Sequence, residues 1–233
     1  RIKWTNDPSK LCIYRLNRLQ NKLDLLLTNA SDGASSVIYT DENKYYININ
    51  DEITFLPDGH SMILASERSG YAHLYNYDWQ KKQLTDLTEG SYDIESLINV
   101  DTKGSMLYYT SAESSTLERK LYSVSLTGKN KKCLTAEKGV HGITWCEGNQ
   151  YFVDKWTSIG SVPVYTLKNL QGKTVRTLED NHELAQKMKE YALGEVQLTK
   201  LKGAGTDLNA WIITPPDFDK NKKYPVLMYQ YSG

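Results

Sequence analysis

Apolar residues in this chain fall in short runs that alternate with polar stretches, and the pattern recurs in units of about 45 residues. Aligning Phe55-Leu56-Pro57-Asp58-Gly59 with Val100-Asp101-Thr102-Lys103-Gly104 and with Trp145-Cys146-Glu147-Gly148 brings the turn glycines into register. Each turn is followed by an apolar run: Met62-Ile63-Leu64, Met106-Leu107-Tyr108-Tyr109 or Tyr151-Phe152-Val153. A polar stretch and an apolar-aromatic pair come next, Leu74-Tyr75, Leu121-Tyr122 and Val164-Tyr165, and the units close on Leu84-Thr85, Leu134-Thr135 and Thr177-Leu178. Each unit predicts four short strands. One small twisted sheet cannot bury both faces until neighbours stack on it, so the repeat predicts the blades of a β-propeller, with the residues opposite Tyr75, Tyr122 and Tyr165 packed sheet on sheet.

The N-terminal stretch predicts a further, less regular blade: strands over Arg1 to Trp4, Leu11 to Leu16, Lys22 to Leu27 and Ser36 to Thr40, with turns at Asp7-Pro8-Ser9, Gln20-Asn21 and Ser31-Asp32-Gly33. The alternation of Ile13, Arg15 and Asn17 against Tyr14, Leu16 and Arg18 fits a strand with one wet face. About four blades are therefore expected between Arg1 and Glu179, with a mainly β fold.

After Glu179 the pattern changes. Asp180 and Glu183 resemble a helix N-terminal box, and Leu184, Met188, Tyr191 and Ala192 form an apolar stripe at helical spacing before Gly194, which predicts a connecting helix over Glu183 to Leu193. Glu195 to Leu201 and Leu208 to Thr214 predict two strands joined by the turn-rich loop Gly203-Ala204-Gly205-Thr206-Asp207. Pro215-Pro216 ends the second of them. Beyond a charged loop, Tyr224 to Tyr231 is nearly continuous in apolar and aromatic residues, as the interior of an α/β sheet requires.

Composition agrees with short pleated strands: 17 Tyr and 5 Trp against 3 Phe. With 28 acidic and 28 basic residues, the chain has no global field to draw nucleic acid or an anionic membrane. No apolar run approaches the roughly 20 residues that a spanning helix needs, so this segment is expected to make no membrane contact. No leader pattern is present, and the chain starts without Met in what reads as the middle of a strand. It is expected to be an excerpt of a longer protein, so a missing targeting segment carries no information about location. Cys12, Cys133 and Cys146 are expected to be buried thiols or to include one opportunistic bridge.

Several strings carry a family resemblance: Leu178-Glu179-Asp180-Asn181, Pro215-Pro216-Asp217-Phe218-Asp219, Lys223-Tyr224-Pro225-Val226-Leu227 and Gln230-Tyr231-Ser232-Gly233. Together with Thr54 to Gly59, Ser66-Glu67, Gly70-Tyr71 and Leu117-Glu118-Arg119, they resemble the bacterial type of the dipeptidyl peptidase IV group in the prolyl oligopeptidase family. The resemblance implies an eight-bladed propeller capping an α/β-hydrolase domain. In that scheme residues 1–179 are blades, 180–194 a connecting helix, and 195–233 the first strands of the hydrolase domain. It further implies a secreted or periplasmic serine peptidase without a cofactor, which removes Xaa-Pro or Xaa-Ala dipeptides from peptide N-termini by a Ser-His-Asp triad. A homo-oligomer is also expected, since half a propeller leaves two apolar faces uncovered.

This chain carries little of that machinery. Gly-x-Ser-x-Gly occurs nowhere in it, nor does the Glu-Glu pair that would hold a substrate ammonium. The arginine of animal members in the loop matching about Ile47 to Asn50 is unmatched, and so is their cysteine pattern. One residue carries over: Tyr231 occupies the Tyr-Ser/Ala-Gly position, where the phenol donates a hydrogen bond to the oxyanion. Read without the resemblance, it is a tyrosine at a strand end with a wet hydroxyl.

The remaining polar candidates point elsewhere. His60, His73, His141 and His182 lack metal-ligand spacing and read as turn, strand and helix-start residues. Glu67, Glu113 and Glu118 could supply a carboxylate pair for glycoside chemistry but read as rim residues, and Glu118-Arg119 as a structural pair within a blade. Lys81-Lys82, Lys129 to Lys132 and Lys220 to Lys223 read as turn lysines, and Asp58-Gly59 and Asp32-Gly33 as turns rather than calcium loops. Two functions stay open: the rear of a peptidase propeller that gates and shapes the active site, or a non-catalytic propeller or pseudo-peptidase that binds a protein partner.

Overall fold

The computed structural model describes residues 1–49, 52–203 and 205–231. These divide into two compact units, one of Arg1–Thr157 with Pro163–Glu179, the other of Ser158–Val162 with the residues from Asp180 onward.

The first unit consists of four antiparallel sheets of four strands, each sheet laid down in chain order. Sheet 1 holds β1 (Ile2–Trp4), β2 (Lys10–Leu16), β3 (Lys22–Asn29) and β4 (Ser35–Glu42). Sheet 2 holds β5 (Thr54–Phe55), β6 (Ser61–Ser66), β7 (His73–Asp78) and β8 (Gln83–Asp86). Sheet 3 comprises β9 (Ile94–Asp101), β10 (Met106–Ser111), β11 (Lys120–Ser125) and β12 (Lys132–Cys133). Sheet 4 comprises β13 (Val140–Trp145), β14 (Tyr151–Thr157), β15 (Val164–Asn169) and β16 (Thr174–Glu179). These are propeller-like blades at the expected places. The turns follow the expected chemistry: Asp58 Oδ1 accepts from the backbone N–H of His60 at 3.0 Å and of Ser61 at 2.8 Å. Gly59 between them sits at φ 75°, a conformation that costs other residues about 1–2 kcal/mol.

Period-2 alternation turns each blade's residues to both neighbours. In sheet 2, Met62, Leu64 and Tyr75 pack against Cys12, Leu25 and Tyr39 of sheet 1. The intervening Ile63 and Leu74 pack against Leu107, Tyr109, Tyr122 and Val124 of sheet 3. Tyr108 and Leu121 of sheet 3 then meet Phe152 of sheet 4. Burial of each such side chain contributes roughly 1.5–3 kcal/mol, so the core consists of three inter-sheet layers rather than one central mass. Polar links run between the same sheets. Asn6 Nδ2 donates to Phe55 O at 2.7 Å, and the Leu97 N–H donates to Glu52 Oε2 at 3.0 Å.

Leu64 opposite Tyr75 and Tyr109 opposite Tyr122 pack sheet on sheet as expected, but Lys155 opposite Tyr165 does not. In sheet 4 the face that meets sheet 3 carries Phe152, Asp154, Lys168 and Thr166, which pair as Phe152↔Lys168 and Asp154↔Thr166. Tyr165 pairs with Lys155 on the opposite face, and the Lys155 ammonium lies 5.9 Å from its ring centroid. A one-residue shift in the repeat alignment turns a strand residue to the other face, so Val164 rather than Tyr165 shares the inward side.

The outer face of sheet 1 carries an apolar ladder, Ile2↔Ile13↔Leu26↔Val37, beside Trp4↔Leu11. Ile2, Trp4 and Val37 in it are exposed.

In the second unit the helix α1 spans His182–Met188, shorter than the apolar stripe suggests. Leu184, Met188 and Tyr191 are exposed, so no packing supports further turns, and the chain tightens into i→i−3 bonds from Lys189 to Gln186 and from Tyr191 to Met188. The expected N-terminal box is absent: the N-cap is Asn181, at φ 54° without a side-chain cap bond, and Asp180 Oδ1 accepts from the His182 N–H at 2.9 Å. Strands β17 (Glu195–Gly203) and β18 (Thr206–Thr214) form a two-stranded hairpin in register from Glu195↔Thr214 to Gly203↔Thr206. Ala204 of the expected turn lies outside the described residues. The run from Tyr224 to Tyr231, expected as a strand, is not one. A strand exists through hydrogen bonds to a neighbour, and among the described residues none pairs with this run.

Candidate functional site

Tyr231, the one residue carried over as a candidate donor, ends the unpaired run and is 90% exposed. Its neighbours in the motif, Ser232 and Gly233, lie outside the described residues, as does Asn50 of the loop where animal members carry an arginine. An exposed phenol on unpaired backbone has the right chemistry for an oxyanion donor but not the fixed aim such a donor needs.

The other sequence candidates are each committed to a separate structural partner. Glu67 Oε1 accepts from Asn48 Nδ2 at 2.6 Å, Glu113 pairs with the Lys131 ammonium, and Glu118 pairs with Lys120 at 3.0 Å. The hydrogen bond from Lys120 holds the Glu118 carboxyl below its usual range. Glu118 and Arg119 do not form the expected pair, because adjacent residues on an extended chain point apart; Arg119 Nε instead lies 3.4 Å from Glu95. His60 Nδ1 sits 3.3 Å from Asp78 Oδ2, and His182 opens α1. Among the described residues, no three His, Cys, Asp or Glu side chains converge as a metal site. All three cysteines are free, and only Cys12 is buried, its thiol pushed up to about 11 by that burial.

Two polar clusters escape the sequence reading. Between sheets 1 and 2, Arg68 Nη2 donates to Asp41 Oδ1 at 3.1 Å and to the Tyr39 hydroxyl, while Ser66 Oγ donates to Asp41 Oδ2 at 2.5 Å. The guanidinium carbon lies 5.3 Å and 5.6 Å from the ring centroids of Tyr39 and Tyr75. Burial pushes the Tyr39 phenol up, so it stays protonated. Tyr39, Asp41, Ser66 and Arg68 line an open cleft together with Asn48 and Glu67. Arg68 and Asp41 neutralise each other across the two sheets, so this cluster joins two blades.

The second cluster is on the inward face of sheet 4. His141 Nδ1 is 2.9 Å from Asp154 Oδ1, and Lys168 Nζ is 2.9 Å from Asp154 Oδ2, all three residues being buried. A signal for it exists in the sequence: Phe152, Asp154 and Trp156 alternate onto one face, which sets a carboxylate between two aromatic residues.

Comparison with known proteins fits this arrangement. The family described as the dipeptidyl peptidase IV (DPP IV) N-terminal region matches residues 1–163. The chain is 27% identical over its whole length to dipeptidyl peptidase 4 of Trichophyton rubrum, of which it covers 31%. It is 31% identical, over 72% of its length, to dipeptidyl peptidase 4 of Arthroderma otae, of which it covers 22%. Among solved structures, Porphyromonas gingivalis dipeptidyl peptidase 4 is similar with a TM-score of 0.89 and 30% identity, covering 97% of this chain and 32% of that one. A putative dipeptidyl aminopeptidase IV from Bacteroides ovatus shares the fold with a TM-score of 0.83 at 23% identity, covering 96% of this chain and 35% of that one. The chain thus spans about a third of the length of those relatives that it matches end to end.

Proposed function

The chain belongs to the family of the dipeptidyl peptidase IV N-terminal region, and from that premise we propose that it is the rear half of the propeller of a serine dipeptidyl peptidase. The observation that carries this reading is the family match over residues 1–163, in a chain whose first unit is four successive four-stranded blades. In this reading residues 1–179 are four of eight blades, 180–194 the connector, and 195–233 the first strands of an α/β-hydrolase domain. The apolar run Tyr224 to Tyr231 is then a sheet strand whose partners belong to the rest of that domain. The propeller gates and shapes access to a site that cleaves Xaa-Pro or Xaa-Ala dipeptides from peptide N-termini. Ser, His and Asp of the triad lie outside this chain, as do the acidic residues that hold the substrate ammonium. Tyr231 donates to the oxyanion, and the enzyme works in the periplasm or outside the cell.

The test compares the parent polypeptide with this chain alone on Gly-Pro and Ala-Pro chromogenic amides. The parent is expected to release the dipeptide, and this chain to give background only, because it contains no nucleophile elbow. A folded parent that turns over neither amide would leave the pseudo-peptidase reading in its place.

The exposed ladder on sheet 1 leads to a second expectation. Ile2, Trp4 and Val37 form part of an apolar face that another blade covers in a full propeller, and this chain alone is expected to self-associate through it. Light scattering at micromolar concentration checks this; a strict monomer counts against it.

A further inference from the structure

The buried cluster on sheet 4 has a hydrogen-bond arrangement that dictates a charge. His141 Nδ1 lies 2.9 Å and 3.0 Å from the two Asp154 carboxylate oxygens, and Nε2 lies 3.0 Å from the backbone carbonyl of Glu137. A carboxylate and a peptide carbonyl both only accept, whereas a neutral imidazole carries a single N–H. With a neutral ring, one of these contacts would set a nitrogen lone pair against an oxygen lone pair inside the protein. The imidazolium donates to both.

The surrounding charges agree. Lys168 Nζ lies 2.9 Å from Asp154 Oδ2 and 3.4 Å from Glu137 Oε2, so a charged His141 brings two cations against two carboxylates. Burial alone would raise the Asp154 carboxyl, but hydrogen bonds from His141 and Lys168 outweigh it and hold it below its usual range. Glu137 is likewise held low against the effect of its burial, by its backbone hydrogen bond and by Lys168. Further contacts surround the loop, and the Lys138 ammonium in it acts on the Glu118 carboxyl rather than on His141. Lys120 Nζ donates to the Ala136 carbonyl at 3.3 Å and pairs with Glu118, and the Arg119 N–H donates to the Gly139 carbonyl at 3.1 Å. The Lys138 carbonyl accepts from Trp156 Nε1 at 3.0 Å. His73 shows the contrast. Its Nε2 faces the Gly90 carbonyl at 2.9 Å, but its Nδ1 faces the Thr88 hydroxyl at 3.1 Å, which can donate, so a neutral ring satisfies both contacts.

We propose that His141 is a buried imidazolium that clasps the loop Ala136 to Gly139 onto sheet 4, at the junction between the third and fourth blades. Asp154 is held low, so its contribution to stability is present above the usual carboxylate range and is lost as pH falls below that range toward its own lowered value.

Imidazole nitrogen-15 spectra of the chain at a pH of about 7.5 test the proposal directly, since an ordinary histidine titrates near 6.5 and is mostly neutral there. His141 is expected to show two protonated nitrogens, with His73 in the same spectrum showing one. A singly protonated His141 overturns the proposal.

Discussion

In the parent polypeptide, Tyr231→Phe is expected to lower kcat by about 10²–10³-fold while KM moves little. The argument is one of differential binding. The phenol is a neutral donor, and the charge it meets exists only once the tetrahedral intermediate forms, so the ground-state complex loses little with the hydroxyl. The loss corresponds to about 2.7–4 kcal/mol for one pre-aimed donor. Phe keeps the ring and its packing, so a folding defect is not expected. Steady-state kinetics on Gly-Pro and Ala-Pro amides, beside a melting curve of the same preparation, separates the two effects. Unchanged turnover would reduce Tyr231 to the strand-end tyrosine that its spacing alone suggests. A fall in kcat matched by an equal fall in melting temperature and in active fraction would point to folding rather than chemistry.

An oxyanion donor also needs a fixed aim, which Tyr231 takes from the strand that carries it. Its segment is apolar enough for a sheet interior, yet Val226, Leu227 and Tyr229 are exposed, because a strand takes its conformation from backbone partners that are not sequence neighbours. The four blades were legible for the opposite reason. Their strands pair with the next strand in the chain, through turns marked by Asp58-Gly59 or Glu147-Gly148, so pattern and pairing are local. The error at Tyr165 shows how fine the reading must be: repeat motifs aligned by composition tolerate a slip of one residue, and the pleat does not. The helix after Asn181 was overextended because periodicity marks which residues share a face without saying whether anything lies against it; Leu184 and Met188 share one that stays exposed. The His141–Asp154–Lys168 cluster was missed because its members lie on three strands and only Asp154 stands out, as a charged residue between Phe152 and Trp156.

Phe152→Ala is expected to be the most damaging single core substitution in sheet 4, costing about 3–5 kcal/mol. Phe152 is fully buried, lies flat against Trp145 at a centroid distance of 5.8 Å and an interplanar angle of 3°, and belongs to the layer formed with Tyr108 and Leu121 of sheet 3 and with Leu134 just beyond it. Among the described residues it is the only buried apolar side chain that sheet 4 contributes to that layer, with Ile143 and Trp145 packed partly buried around it. Removing the ring takes away the transfer free energy of its atoms and leaves a cavity whose lining is fixed by the sheets, so collapse recovers little. Domains of this kind are stable by about 5–15 kcal/mol, so the loss is a large fraction of the total and is expected to fall first on the fourth blade. Two of the five tryptophans, Trp145 and Trp156, lie in sheet 4, so urea unfolding followed by tryptophan fluorescence carries a signal from that blade along with the rest of the chain. Leu227→Ala, at a residue 95% exposed, is the control and should stay within about 0.5 kcal/mol of the unsubstituted chain. A Phe152→Ala loss below about 1 kcal/mol would mean that the polar cluster of His141, Asp154 and Lys168, and not the aromatic layer, holds the fourth blade to the third.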